Sequence, residues 1–215
     1  MIRYVQHNVL NNCLLLTTGR CIFWENEKAL ILSDLHLGKA GHFRKSGIAI
    51  PQSVYKADLH RLLEEIQYFK PAYIIIIGDL FHSTANKEHL LFEKWRADFS
   101  TIIHLVKGNH DILDNQWYAD TGIIVHEQQL TISDFSFSHD IECRPVTGYC
   151  FSGHIHPGIV LKGMGRQSLR MACFYFSGDH AILPAFGKFT GLATINPEKD
   201  DHVFAIVEDN IVKVQ

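Results

Sequence analysis

The stretch Tyr73-Ile74-Ile75-Ile76-Ile77-Gly78-Asp79 decides the fold of this 215-residue chain. Its continuous β-branched run, bounded by Pro71 and Gly78, predicts a strand buried on both faces, as in a parallel sheet. Gly78 allows the backbone to turn sharply after that strand. Asp79 then places a carboxylate at the carboxyl end of the strand, where open α/β sheets bind their ligands.

Helices and strands alternate on both sides of this stretch. One helix is predicted between Pro51 and Pro71, and a second begins with Asn86 as its cap. Strands are predicted at Ala29–Ser33 and at 101–106. This alternation implies right-handed crossovers and a largely parallel sheet.

The remaining segments have the pattern of short strands joined by tight turns. These strands are predicted at 13–17, 21–25, 123–125, 129–133, Phe135–Ser138, Tyr149–Ser152, 159–161, 170–177 and 203–214, the last with a hairpin turn at Asp209-Asn210. The expected fold class is therefore α/β, with two mixed β-sheets packed as a sandwich and flanked by helices. Residues 1–215 are expected to form one domain.

Clusters of polar residues follow several of the predicted strands. They are Asp34-Leu35-His36, Gly78-Asp79, Gly108-Asn109-His110-Asp111, His139 and Gly153-His154-Ile155-His156. Because the carboxyl ends of parallel strands line one crevice, Asp34, Asp79 and Asn109 are expected to lie together. His154 and His156 share a face of an extended segment, so each can serve a different ion.

The residue types in these clusters are those of a two-metal hydrolytic site. Carboxylate, imidazole and amide ligands without cysteine favour Mn, Fe or Zn over a structural zinc site. Two dications about 3.5–4 Å apart need an anion between them, and Asp79 is the natural bridge. A hydroxide that bridges the ions would attack a phosphoester. His110 could then protonate the leaving alkoxide, with Asp111 orienting the imidazole.

In this order and composition the clusters resemble those of the calcineurin-like metallophosphoesterase superfamily. The resemblance implies a four-layer α/β/β/α sandwich and two divalent metal ions. The implied ligands are Asp34, His36, Asp79 and His156 for a first metal, and Asp79, Asn109, His139 and His154 for a second, with His110 as the catalytic histidine. His139 has no strong flanking signature, and His126 is the alternative to it.

A narrower resemblance is carried by longer motifs. Ser33-Asp34-Leu35-His36-Leu37-Gly38-Lys39 with Phe43-Arg44 and 47–51, residues 78–83, and Leu183-Pro184-Ala185-Phe186-Gly187-Lys188-Phe189-Thr190-Gly191 are similar to bacterial ligase-associated DNA-damage-response endonucleases. This similarity implies Mn-supported cleavage of DNA in repair, with a DNA ligase or a helicase as possible partners. Lys39, Arg44 and Arg144 could contact a substrate phosphate, although loop charges exposed to solvent would look the same in sequence.

Composition and charge bound the other possibilities. A hydrophobic content of 47% and a charged content of 20% are typical of a soluble globular protein. No apolar run is long enough to span a membrane and no signal peptide is visible, while five scattered cysteines favour reduced thiols, so we expect a cytoplasmic protein. The net charge is −3, but 143–188 carries five basic residues and one acid, which would attract a polyanion or is ordinary surface charge.

Three functions remain open at this point. The first is a two-metal phosphodiesterase acting on nucleic acid, most simply a DNA endonuclease. The second is a hydrolase of small phosphoesters, such as nucleotides or lipid-linked diphosphates. The third is a non-catalytic interaction module on the same fold, which the presence of every ligand type and of His110 argues against.

Overall fold

Two mixed β-sheets form the centre of the fold in the computed structural model, which describes residues 3–38, 53–82, 87–163, 165 and 167–215. The first sheet holds its strands in chain order: β1 (Tyr4–Val9), β2 (Asn12–Thr17), β3 (Ile22–Trp24), β4 (Ala29–Ser33), β5 (Tyr73–Ile77), β6 (Ile102–Val106) and β7 (Ile123–His126). The strands from β1 to β4 pair antiparallel, and those from β4 to β7 pair parallel.

The second sheet is built from the carboxyl-terminal half of the chain. Its strands are β8 (Gln129–Ile132), β9 (Phe135–Ser138), β10 (Tyr149–Ser152), β11 (Pro157–Lys162), β12 (Ser168–Phe176), β13 (His180–Ile182), β14 (Ala193–Thr194), β15 (His202–Val207) and β16 (Asn210–Lys213). Their order is β14-β11-β12-β13-β10-β9-β8, with β15 paired to β12 and β16. β9, β10 and β13 are parallel neighbours, so the ends of β9 and β10 open at the same edge.

Helices flank the sandwich, and the predicted fold class is confirmed. The described helices are α1 (Ser53–Phe69), α2 (Lys87–Arg96) and α3 (Asn115–Asp120), with a short 3₁₀ helix at Ile141–Cys143 beside β10. All three α-helices contribute buried or partly buried side chains to one cluster on the outer face of the first sheet. Among the described residues, no helix is both long enough and apolar enough to span a membrane.

The alternation of side chains along β5 explains the layering. Ile75 and Ile77 point between the sheets and pack in the same cluster as Phe135 and Phe151. Ile74 and Ile76 point the other way, into the cluster that contains Leu62 of α1. Because all four isoleucines are almost fully buried, each contributes about 1.5–3 kcal/mol of hydrophobic stabilisation.

Several elements differ from the sequence-based expectation. β1, α3, β13 and β14 were not predicted, because they are short or carry polar residues on a half-exposed face. The turn between β15 and β16 is Glu208-Asp209 rather than Asp209-Asn210, since Val207 pairs with Asn210. The predicted helix starts at Pro51 and Asn86 lie outside the described residues.

Candidate metal centre

The polar clusters converge at the carboxyl ends of strands from both sheets. Asp34 follows β4, Asp79 follows β5 and Asn109 follows β6 in the first sheet. His139 follows β9, and the segment 153–156 follows β10 in the second. Backbone hydrogen bonds tie these loops together, from Asp34 N to Gly78 O (3.2 Å) and from Gly153 N to His139 O (3.1 Å). The site therefore lies where the two sheets open at the same end.

One group of possible metal ligands consists of Asp34, His36 and His156. One ligand atom from each lies within 4.8 Å of those of the others. Nε2 of His36 is 3.2 Å from Nε2 of His156, and Nε2 of His156 is 3.5 Å from Oδ1 of Asp34. Asp34 and His36 are buried, whereas His156 is partly exposed, so the group has one open side.

A second group consists of Asp79, His139 and His154, with Asn109 beside it. Its ligand atoms also lie within 4.8 Å of one another. Nε2 of His139 is 3.1 Å from Nδ1 of His154 and 3.2 Å from Oδ1 of Asn109. Because Asp79 and His139 are buried and His154 is exposed, this group also faces solvent on one side.

Asp79 and His139 are the members of the second group that face the first group. Oδ2 of Asp79 is 3.8 Å from Nε2 of His36, while Oδ1 is 3.6 Å from Nε2 of His139. On the opposite edge of its ring, Nδ1 of His139 is 3.9 Å from Oδ1 of Asp34. The two groups are therefore adjacent, and one oxygen of Asp79 faces each.

The backbone at these residues adopts a conformation that side chains disfavour. Positive φ angles occur at Asp34 (51°), His36 (48°), Asp79 (50°), His154 (65°) and His156 (54°). Non-glycine residues in this region cost on the order of 1 kcal/mol each and cluster at functional sites. The fold thus holds five of the seven predicted ligands in this conformation at an energetic cost.

Two glycines make the close approach of the loops possible. A Cβ on Gly78 would overlap the ring of His139, and a Cβ on Gly153 would overlap the carboxylate of Asp34. The donor set of carboxylate, imidazole and amide atoms, packed this tightly around two centres, fits two divalent cations. The residues present are therefore compatible with the two metals that the sequence predicts.

The predicted catalytic histidine, His110, borders the first group. Its ring centroid is 5.7 Å from that of His36 and 4.7 Å from that of His82. Its backbone N–H donates to Oδ1 of Asp79 at 3.0 Å. His82 therefore lies with the site histidines.

Asp111 connects two of the ligand loops. Its buried carboxylate accepts backbone N–H groups from Leu80 (2.9 Å), Phe81 (3.3 Å) and Gly108 (3.0 Å). The pKa of this carboxyl is raised to about 7, because burial and the nearby charge of Asp79 together outweigh the lowering effect of the backbone donors. Its contacts thus join the loop after β5 to the loop after β6, and its role in orienting His110 remains a prediction.

The predicted substrate contacts are distributed differently. Lys39 and Arg44 lie outside the described residues, as does Arg166, one of the five basic residues in 143–188. Arg144 donates to Asp179 (3.3 Å) and to the carbonyl of Ile141 (3.2 Å). Because this guanidinium already has an anionic neighbour, a phosphate would have to compete with Asp179.

A cavity of about 480 Å³ adjoins the second group. Its wall includes a basic side chain, that of Lys107, which the sequence analysis did not single out. Asn109, His139 and His154 line one wall, and Lys107 and Gln128 line another. Nζ of Lys107 is 3.1 Å from Glu127 and 2.7 Å from Asn115. Its place two residues before Asn109 is the only sequence signal that would have identified it.

The alternative ligand, His126, lies elsewhere. It is the last residue of β7, and its Nε2 is 3.0 Å from Nδ1 of His104 on β6. The two imidazole rings stack at 5.3 Å, and burial lowers the pKa of both. The structure thus places His139, and not His126, beside Asp79 and His154.

Comparison with known proteins shows the same overall pattern. The sequence profile described as calcineurin-like phosphoesterase matches residues 28–157. Among solved structures, the chain is similar to the Pseudomonas putida nuclease MPE, with a TM-score of 0.84, 27% identity, and coverage of 99% of this chain and 100% of that one. Similarity to Yfce, a phosphoesterase from E. coli, is weaker, with a TM-score of 0.48, 16% identity, and coverage of 86% and 97%. No curated protein matches the sequence significantly.

Proposed function

The chain belongs to the calcineurin-like phosphoesterase family, and on this premise we propose that it is a two-metal phosphodiesterase that cuts DNA internally. The observation that carries the chemistry is the position of Asp79 between two adjacent groups of ligand atoms. The substrate class is supported by similarity to a nuclease over almost the whole of both chains. The catalytic chemistry and the nucleic-acid substrate thus rest on independent observations.

The residues divide naturally between two ions. We assign Asp34, His36, Asp79 and His156 to the first, and Asp79, Asn109, His139 and His154 to the second. When bound, two such ions would neutralise charge on a phosphoryl group and activate a water for attack on phosphorus. The metal is proposed to be Mn, with Fe or Zn as alternatives, because the ligands are nitrogen and oxygen atoms.

Contacts around the ligands prepare them for this task. Nδ1 of His139 is 3.4 Å from the carbonyl of Ile77, so a proton on Nδ1 leaves the Nε2 lone pair directed at the second group. The carboxylate of Asp34 accepts the backbone N–H of His154 at 3.0 Å, which fixes its orientation. Such second partners hold ligands in register before an ion arrives.

His110 is placed to handle the proton that hydrolysis requires. It borders the first group next to His82, and its backbone is anchored on Asp79. A protonated imidazole there would donate to the alkoxide as the P–O bond breaks. Asp111 supports this geometry as a positioning residue, because its carboxylate accepts the backbone N–H of Gly108, two residues before His110.

The biological setting is the part of the proposal that rests on sequence resemblance. Residues 33–51, 78–83 and 183–191 are similar to endonucleases associated with a DNA ligase and a helicase, so we propose a role in DNA repair in the cytoplasm. A small phosphoester is the alternative substrate, because the cavity beside the second group could hold one nucleotide.

Cleavage of circular single-stranded DNA by the Mn-loaded protein tests the proposal. A closed circle has no ends, so any product is endonucleolytic. Cleavage by the parent and not by Asp79→Asn supports a two-metal endonuclease, and binding should then weaken steeply with salt. Hydrolysis of an aryl phosphodiester without cleavage of DNA would instead favour a small substrate. Absence of both activities would contradict the phosphodiesterase itself.

A further inference from the structure

The motif 183–191 packs directly against the backbone of the first ligand group. We call its residues 184–187 the strap. Phe186 N donates to Ser33 O at 2.8 Å, and Gly187 N donates to Asp34 O at 3.1 Å. Ala185 also forms a parallel bridge with Ser33. The strap therefore acts as a short extra strand beside the end of β4, where Asp34 begins the site.

Two arginines also bind the backbone of the strap. Nη1 of Arg20 donates to the carbonyls of Ala185 (2.9 Å) and Gly187 (3.2 Å). Nη2 of Arg61 donates to the carbonyl of Phe186 at 2.5 Å, and its guanidinium lies 4.2 Å from the centre of the Phe186 ring. Three consecutive carbonyls of the strap are thus bound by guanidinium groups from distant parts of the chain.

These arginines are retained at an energetic cost. Arg20 has a φ of 69°, a conformation in which glycine would be unstrained. Burial lowers the pKa of Arg20 to about 10, so the group is still charged at neutral pH. Arg61 is mostly buried and paired with Asp58 at 2.9 Å. Both guanidinium groups nevertheless donate to carbonyls of the strap, which indicates that these side chains serve the strap.

The contact between the strap and the site is tight. A Cβ on Gly187 would lie 2.6 Å from the carbonyl oxygen of Leu35, which separates Asp34 from His36. Both of those ligands have positive φ angles, so their side chains point correctly only while this backbone is held in place. Any shift of the strap would therefore be transmitted to the first ligand group.

We propose that Arg20 and Arg61 are positioning residues for the first metal, acting through the strap on the backbone of Asp34 and Leu35. The inference rests on the proposed function only in requiring that Asp34, His36 and His156 bind an ion. It gives the motif 183–191 a role in holding that site rather than in contacting substrate.

Isothermal titration calorimetry of the metal-free protein with Mn²⁺ tests this inference without measuring activity. We expect the parent to bind two ions. We expect one binding step to weaken about tenfold, and the other to stay within about twofold, in each of Arg20→Gly, Arg61→Lys and Gly187→Ala. A loss of about tenfold is typical when a residue that orients a metal ligand is changed. Lysine keeps the charge opposite Asp58 but cannot reproduce the guanidinium fork.

Matched variants control for general effects of the substitutions. Arg96 also donates to backbone carbonyls, but to those of Phe99 and Gly122 rather than to those of the strap, so Arg96→Ala should bind both ions normally. Gly178 has open space at its Cβ position, so Gly178→Ala should do the same. The weakened step must also be the one that Asp34→Asn removes.

The outcomes separate this inference from the proposed function. If the parent binds two ions and the strap variants match it, or lose both steps equally, the inference is wrong and the proposed function stands. If the parent binds one ion and Asp34→Asn removes it, the two-metal function is wrong and the strap variants still decide the inference. If the parent binds no ion, both are wrong. Circular dichroism will show whether Arg20→Gly folds, and if it does not, Arg61→Lys decides the question because it removes a guanidinium from the strap while keeping the charge opposite Asp58.

Discussion

Oδ2 of Asp79 lies 3.8 Å from Nε2 of His36, although the two residues follow different strands of the first sheet. The other oxygen of the same carboxylate faces His139 of the second sheet at 3.6 Å. The two oxygens of Asp79 therefore face the two ligand groups separately. Removing its charge should affect both groups at once.

Asp79→Asn is expected to lower phosphodiester hydrolysis by more than ~100-fold. Residues that only hydrogen-bond to a metal ligand already contribute about 10–100-fold to activity, and Asp79 is proposed to be a ligand itself. Folding should be little changed, since the volume is almost constant and a buried charge is removed. Activity, Mn²⁺ stoichiometry and thermal unfolding should be measured together. Asp120→Asn, at an exposed carboxylate of α3, is the control. Near-normal turnover in Asp79→Asn would contradict the bridging role.

His110→Ala should separate proton donation from metal binding. Hydrolysis of DNA is expected to fall by about 10²–10⁴-fold, the usual contribution of a general acid. An ester with a p-nitrophenyl leaving group should be affected much less, because nitrophenolate leaves without a proton. Mn²⁺ binding should be close to that of the parent.

The control for this change is His60→Ala, since His60 is an exposed histidine of α1 that pairs with the exposed Glu64. Equal losses of His110→Ala on both substrates would mean that His110 is not the proton donor. Loss of bound Mn²⁺ to the same degree would make it a ligand instead.

Glu65→Gln is expected to change how stability depends on pH. Burial raises the pKa of Glu65 to about 7 from an ordinary value of 4.5, and the hydroxyl of Thr17 donates to the carboxylate at 3.0 Å. Between these two pH values the folded protein holds a proton that the unfolded chain releases, so stability falls as pH rises through this window. The glutamine variant does not ionise and should avoid that loss.

Chemical unfolding at pH 5 and pH 8 measures this effect. Glu65→Gln should be more stable than the parent at pH 8 by on the order of 1–3 kcal/mol, with a smaller difference at pH 5. Glu64→Gln, at the adjacent and exposed carboxylate, should show no such change with pH. If the two variants behave alike, the buried carboxylate does not titrate in this range.

The sequence predicted some elements closely because their signals are local. β4 and β5 have the predicted bounds, since a continuous apolar run between turn residues leaves little choice of register. α3 was missed because six residues are too few to show a helical period, and its cap at Asp114 resembles an ordinary turn. β1 was missed because its outward residues include Gln6 and Asn8, and because its inward face includes His7, which packs against Phe176 and Phe204.

In the candidate site, too, features with a local sequence signal were predicted and features set by distant contacts were not. Its ligand types could be read from short motifs, and the strand ends explain why they meet. The hydrogen bonds of Arg20 to Ala185 and Gly187 join residues more than 160 positions apart, so no local pattern reports them. The positive φ of Asp34 or His154 was equally invisible, because such angles are imposed by the surrounding fold.

That strain leads to a last prediction, at His154, where φ is 65° and the side chain is exposed. Both His154→Gly and His154→Ala should lose tight binding of one Mn²⁺. In the metal-free protein, however, the glycine variant should be more stable than the alanine variant by about 1 kcal/mol, because glycine adopts this φ without strain. This gain must exceed the greater freedom of glycine in the unfolded chain.

Urea unfolding of the two variants in the presence of a chelator measures that difference. The same pair of substitutions at Lys199, an exposed loop residue without a positive φ, should give the opposite order, with alanine the more stable. If alanine is also the more stable at position 154, the backbone there is not strained. The fold would then hold His154 at no cost, and the positive φ angles around the site would no longer indicate that stability is given up for metal binding.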